Sequence, residues 1–242
     1  MQLSNFENFE FKLNDKENYD FKKLINSFSP TGTSNVLLNA ILNYNPPKGK
    51  LLDLGSGIGI IGIMLFLKEI ASSPVYLSDV NPSSLRCINE NAKNYNCNVI
   101  YKTGSLFEPW NNEKFDIIVN DVSGISSEIA NISPWFKNVP CESGVDGTNL
   151  TLKIISKTKH HLNENGLFFL PIISLCNSKK ILNELNNNFN KVVKLVKKEW
   201  PLPEEISKNS VLLDDLQKRN IIDIKNKFGM RIFDTSVYLA HN

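Results

Sequence analysis

Cysteine is scarce in this chain and poorly placed for its usual tasks. Cys87, Cys97, Cys141 and Cys176 form no C-x-x-C pair, and His160, His161 and His241 lie at no metal-ligand spacing among themselves. That spacing argues against a disulfide scaffold and a structural zinc site; a reduced, cytoplasmic protein without metal is expected. Long apolar runs are missing too. The most apolar window, residues 57–67, is far shorter than the roughly 20 residues a spanning helix needs. Residues 1–10 alternate Phe with Asn and Glu, where a signal peptide would have a basic start and an apolar core. No membrane association is expected. Charge of one sign is lacking as well, because 27 Lys and Arg face 25 Asp and Glu for a net +2. A nucleic-acid partner is open but draws no support from charge. Internal repeats and low-complexity linkers are absent from the sequence. With 242 residues, 41% of them hydrophobic, one globular domain with extensions is the first expectation.

What the chain does have is concentrated in residues 50–62, K-L-L-D-L-G-S-G-I-G-I-I-G. An apolar run ends in Asp53, and Gly55, Gly57, Gly59 and Gly62 precede or open a second apolar run, residues 60–67. The pattern predicts a buried strand, a tight glycine turn and a helix start. Glycine serves such a turn because the backbone takes positive φ and a ligand approaches it closely. The helix N-terminus beyond it offers free N–H groups.

Two ligand classes compete for this turn. Gly57, Gly59 and Gly62 satisfy the dinucleotide pattern G-x-G-x-x-G, with Asp79 following at about the 20-residue distance that pattern expects. Asp53, Gly55, Gly57 and Gly59, with Ser56 among them, resemble instead the D-x-G-x-G-x-G turn of class I S-adenosylmethionine-dependent methyltransferases. A carboxylate at the end of the first strand suits a ligand with an ammonium group and sits badly beside a pyrophosphate. Asp53 therefore favours the sulfonium cofactor.

Further along, residues 5–13 read as a strand of an N-terminal extension, and residues 34–44 as a helix behind a polar loop, placed to cover the cofactor. Residues 75–79 form a second strand, whose terminal Asp79 can accept both hydroxyls of a ribose, with Val80 beside it. Asn81 and Pro82 mark the next helix start. A third strand covers residues 98–102 and a fourth, F-D-I-I-V-N, residues 115–120. The β-branched run of the fourth suits a buried parallel strand. Residues 124–141 read as loop, with Trp135 as a candidate substrate wall and Glu142 and Asp146 as added negative charge. Residues 148–162 are expected to be helical, 166–173 a strand, 178–189 a helix and 191–198 a strand that Trp200-Pro201 breaks. A helical insertion over residues 203–220 and a last strand over 231–239 complete the chain.

The glycine turn, Asp79, T-G-S at residues 103–105, F-D-I-I-V-N and G-V-D-G at residues 144–147 together resemble the small-domain methyltransferases that include the release-factor glutamine methyltransferases. The resemblance covers about residues 29–171. It implies a Rossmann-like α/β fold with a mostly parallel seven-stranded sheet, an extension over residues 1–45 and a cofactor-binding domain over 46–242. It implies S-adenosyl-L-methionine as cofactor, held by Asp53, Gly55, Ser56, Gly57, Gly59, Asp79, Val80 and Asn120. Ser105 and Leu106 occupy the turn that meets the adenine in that family.

The family follows its Asn with Pro-Pro and an aromatic residue. Here Asn120 is followed by Asp121, Val122 and Ser123. The loop loses its prolines and its stacking platform and gains a carboxylate able to orient or deprotonate an ammonium. The expected activity is N-methylation of a small-molecule or peptide-borne nitrogen, with Asn120 and Asp121 catalytic and Asp121, Ser123 and Trp135 touching substrate. Methylation of a protein glutamine or an RNA base is the alternative within the enzyme class. A cofactor-binding, non-catalytic partner subunit is the alternative outside it. Oligomeric state leaves no trace in the sequence.

Overall fold

The computed structural model describes residues 6–25, 27, 29–122, 124–136, 141 and 143–242. The chain opens with an antiparallel hairpin, β1 (Phe6–Lys12) and β2 (Asn18–Leu24), and continues into α1 (Gly32–Tyr44). Then β3 (Leu51–Leu54), α2 (Ile60–Leu67), β4 (Val75–Asp79), α3 (Ser84–Asn94), β5 (Val99–Thr103) and β6 (Phe115–Asn120) alternate in the manner of parallel crossover units. The second half carries α4 (Ser127–Ile132), α5 (Asn149–Thr158), β7 (Leu162–Ile173), α6 (Ser178–Asn188) and β8 (Lys191–Pro201). It ends with α7 (Glu204–Ser207), α8 (Ser210–Lys218), β9 (Lys225–Lys227) and β10 (Met230–His241).

Seven strands line up in the order β5-β4-β3-β6-β7-β10-β8, and β9 adds an eighth by pairing with β10. Pairings among β5, β4, β3, β6 and β7 are parallel, and β10 runs antiparallel to β7, β8 and β9. All four residues of β3 are buried, and β6 is buried at Phe115 and from Ile117 to Asn120. These are the continuous apolar runs of strands covered on both faces. β8 lies at the sheet edge and exposes its four lysines, which discourages pairing with a further chain.

The structure departs from the sequence reading at several elements. The N-terminal segment is a two-stranded hairpin, where one strand was expected. The main sheet has an eighth strand, β9. Trp200 and Pro201 do not end β8 early, because Phe233 and Ile232 of β10 pair with them; proline is tolerated as the last residue of an edge strand. The insertion over residues 203–220 is two short helices, and the segment 124–141, read as loop, contains α4. α3 begins at Ser84, since Asn81 Oδ1 accepts from the Ser83 N–H at 3.0 Å and holds a turn ahead of the helix.

Candidate active site

β3, β4 and β6 end side by side, with Leu54 in register with Ser78 on one side and Asn120 on the other. Ligands of such open sheets bind beyond these carboxyl ends. The glycine turn leaves β3 there and folds back on β4: the N–H groups of Gly55 and Ser56 donate to the Ser78 carbonyl at 2.8 and 2.9 Å. Gly55 has φ +73°, and a Cβ on it would lie 2.3 Å from Val122 Cγ2. The loop after Asn120 therefore rests directly on the turn. Gly57, at φ +53°, has no atom within 4 Å of where its Cβ would stand. Gly59, at φ +84°, caps α2. Gly62 is a packing glycine, because a Cβ there would meet Leu77 Cδ2 at 2.5 Å.

Asp53 is 1% exposed. Its Oδ2 accepts from the Gly62 N–H at 2.9 Å, and its Oδ1 is buried with no hydrogen-bond partner. Burial pushes its pKa up to about 7, aided by the charges of Asp121 and Asp79 and opposed by the Gly62 hydrogen bond. Asp79 Oδ2 accepts from the Gly57 N–H at 2.8 Å and its Oδ1 from the Asn81 N–H at 2.8 Å. Each carboxylate oxygen has a second lone pair free for a further donor. Val80 is 70% exposed beside it. Across the edge, Ser105 is exposed, and Leu106 turns the chain at φ +49° above the buried Phe107 and Trp110. Trp110 Nε1 donates to Ser78 Oγ at 2.9 Å and fixes the floor of this side.

These features suit S-adenosylmethionine. An orphaned buried carboxylate oxygen calls for a cationic donor, the space at Gly57 admits a ligand against the backbone, and Asp79 keeps acceptor capacity for a ribose. Asp53 and Asp79 lie at the carboxyl ends of β3 and β4, Gly55, Ser56 and Gly57 form the turn that leaves β3, and Gly59 caps α2 behind it. Val80, Ser105 and Leu106 stand at its margin.

Asn120 is 1% exposed, and its Oδ1 accepts from the Val122 N–H at 3.2 Å. Asp121 is half-buried, and its Oδ2 accepts from the Ser34 hydroxyl at the start of α1. Burial pushes the Asp121 carboxyl up to about 7, and the Ser34 hydrogen bond opposes the shift. Ser123 and Glu142 lie outside the described residues. Asp146 adds no free charge to this edge: it pairs with Lys180 Nζ at 2.9 Å and accepts from Thr148 Oγ1 at 2.7 Å.

Asp121 and Ser34 line a small recess with Thr31, Thr33 and Val122. Next to it opens a cleft of about 250 Å³ walled by Trp135, Trp200 and Phe233. Trp135, expected as a substrate wall, lines this cleft. Ser34, Trp200 and Phe233 were not singled out from sequence. A polar loop before α1 was the one signal for Ser34, and the aromatic residues of β8 and β10 carried none.

Residues 18–121 match the family model of the methyltransferase small domain. The release factor glutamine methyltransferase of Geobacter sulfurreducens is 25% identical over 151 residues, covering 59% of this chain and 52% of that protein. That of Aquifex aeolicus is 30% identical over 59% of this chain and 53% of its own length. A putative protein N5-glutamine methyltransferase of Methanocaldococcus jannaschii is 28% identical over 65% of this chain and 78% of that protein. The chain spans about half the length of these two release-factor enzymes. Among solved structures, a Thermus thermophilus 16S rRNA N2 G1207 methyltransferase, in complex with AdoMet and guanosine, superimposes with a TM-score of 0.63 at 16% identity. It covers 99% of this chain and 51% of its own. A ribosomal protein L11 methylase from Lactobacillus delbrueckii gives 0.52 at 19% identity, covering 87% and 81%. At these identities the structural likeness speaks for the fold. Residues 18–121 thus resemble the methyltransferase small domain, and the chain carries the fold of class I methyltransferases.

Proposed function

We propose that this protein is an S-adenosylmethionine-dependent N-methyltransferase acting on a small-molecule or peptide-borne nitrogen. The observation that carries the reading is the unpartnered, buried Oδ1 of Asp53 at the end of β3, together with the open backbone at Gly57 in the turn that follows. Both abut, through the Gly55 and Val122 contact, the loop bearing Asn120 and Asp121.

When bound, the cofactor supplies an electrophilic methyl group on a sulfonium sulfur. The protein's own part is to bind, align and exclude water, and alignment alone accounts for much of the acceleration of such a transfer. Asp53 holds the ammonium end and Asp79 the ribose hydroxyls. Asn120 fixes the start of the acceptor loop through its bond to the Val122 N–H. Asp121, held by Ser34, orients the acceptor nitrogen and takes its proton. A carboxyl titrating near 7 is suited to that exchange at neutral pH.

A second reading, methylation of a protein glutamine, is favoured by the names of the relatives and by the retained Asn120. Against it stands the loss of the prolines and aromatic residue after Asn120.

Calorimetric titration with S-adenosylmethionine, S-adenosylhomocysteine and NAD tests the cofactor. Tight binding of the first two, abolished in Asp79→Ala, is expected. Binding of NAD alone would overturn the reading. Methyl transfer by the isolated chain, followed by mass spectrometry with amine and glutamine-peptide acceptors, separates the two acceptors. Absence of turnover with any acceptor, despite cofactor binding, would favour a non-catalytic subunit.

A further inference from the structure

The recess of Asp121 and the aromatic cleft adjoin, because Thr31, Thr33 and Ile173 line both. Their walls differ in character. Ile125, Ile173, Trp135, Phe136, Trp200 and Phe233 make the cleft apolar. Among the described residues lining either space there is no Lys, Arg or His, and Asp121 is the one charged side chain. A cleft of about 250 Å³ falls just below the roughly 300–1,000 Å³ of ordinary small-molecule sites. It has room for one ring or a branched aliphatic group, and nothing in its lining would neutralise a phosphate.

Two other features of the molecule carry less. The tip of the β9 and β10 hairpin exposes Phe228, but its Lys227 is already paired with Glu199 and Arg231 with Asp214. The Cys141, Ser143 and Cys176 neighbourhood holds thiols engaged with carbonyls, with Cys176 pushed up to about 12 by burial.

We infer that the acceptor is an amphipathic amine: its nitrogen meets Asp121, and a single aromatic or branched aliphatic group occupies the cleft between Trp135, Trp200 and Phe233. The inference rests on the methyltransferase reading and narrows it to a substrate class. A cationic nitrogen next to a carboxylate gains a charge-assisted hydrogen bond, and an aromatic group in the cleft gains from packing against its rings. An anionic or phosphate-bearing acceptor would meet Asp121 with like charge.

The test is binding of phenethylamine, 2-phenylethanol and ethylamine to the whole protein at pH 8 with S-adenosylhomocysteine at saturation, read by calorimetry and by tryptophan fluorescence. Phenethylamine should bind about tenfold or more tightly than either of the others, since it alone has both the charge and the ring. In Asp121→Asn that preference over 2-phenylethanol should vanish, with S-adenosylhomocysteine affinity kept. In Trp135→Leu the preference over ethylamine should shrink. Equal affinity for the three probes would overturn the inference and leave the methyltransferase reading standing. Failure of S-adenosylhomocysteine to bind would overturn both. Should Asp121→Asn fail to fold, the three-probe comparison on the unaltered protein decides the matter alone.

Discussion

Gly55 and Gly57 sit two residues apart in one turn, yet an added methyl group meets different surroundings at each. At Gly57 there is open space, so Gly57→Ala should fold, with a loss of about 1–2 kcal/mol from the left-handed backbone. The new methyl would occupy the room where a ligand lies against the chain, and S-adenosylhomocysteine affinity should fall about tenfold or more. At Gly55 the methyl would strike Val122, adding an overpacking cost of about 1–3 kcal/mol to the same backbone strain. Gly55→Ala should therefore melt at a clearly lower temperature than Gly57→Ala. Equal melting of the two variants would refute this account of the turn.

The carboxyls of the site give a second expectation at this scale. Asp53 and Asp121 both hold their proton more tightly in the folded chain, near 7, than the ordinary value of 3.8. Between those values the folded state binds more protons than the unfolded one, so the stability these groups contribute is present at low pH and is lost as pH rises toward 7. Asp53→Asn should flatten that fall in melting curves between about pH 4 and pH 7.5. Cofactor binding should run the other way. A cationic donor at Oδ1 favours the ionised form, so affinity for S-adenosylmethionine should rise from pH 6 to pH 8 in the natural protein, and the rise should be smaller in Asp53→Asn.

Among the elements, the N-terminal hairpin is tied to the glycine turn through one residue of α3. Asn91 is 1% exposed. Its Oδ1 accepts from the Lys22 N–H at 2.6 Å, and its Nδ2 donates to the carbonyls of Lys22 and Ile58, each at 2.9 Å. Asn91→Ala would leave those backbone groups without their partner, at a cost of about 2–4 kcal/mol. Because Ile58 belongs to the turn itself, weakened cofactor binding should accompany the lowered melting temperature. A variant that melts earlier but binds with unchanged affinity would show that the clip supports the hairpin alone.

The same elements show what could be read from sequence. β6 was legible to its ends because F-D-I-I-V-N carries a β-branched run and buries every residue but Asp116. β2 escaped notice, since N-Y-D-F-K-K-L buries Phe21 alone and the hairpin depends on pairing with β1. α4 is six residues long with no side-chain cap, too short for a helical period to emerge. At the site, Asp53, the glycines and Asp79 were legible because local chain geometry sets them. Ser34, Trp200 and Phe233 come from α1, β8 and β10, and meet Asp121 and Trp135 only through the order of the sheet. That order places β10 between β7 and β8, a long-range fact that no local pattern encodes.

Across the whole molecule, the extension and the sheet share one core. Phe11 and Phe21 of the hairpin and Val36, Leu37, Leu38 and Ile41 of α1 are buried in the same cluster as Leu51, Ile63, Val75 and Ile117. Burying a side chain of this size contributes about 1.5–3 kcal/mol, so these six together are worth roughly as much as the 5–15 kcal/mol net stability of a domain. We therefore propose that residues 1–45 are part of the folding unit, not a detachable cover. A chain of residues 46–242 should fail to give a folded, cofactor-binding protein. The full chain should unfold in urea as one transition, with far-UV circular dichroism and the fluorescence of Trp110, Trp135 and Trp200 following the same curve. Two separated transitions, or a truncated chain that still binds S-adenosylhomocysteine, would mean that the hairpin and α1 fold onto a sheet already complete without them. Cofactor affinity would then be set by the sheet edge alone, and the hydrogen bond from Ser34 to Asp121 would be dispensable for it.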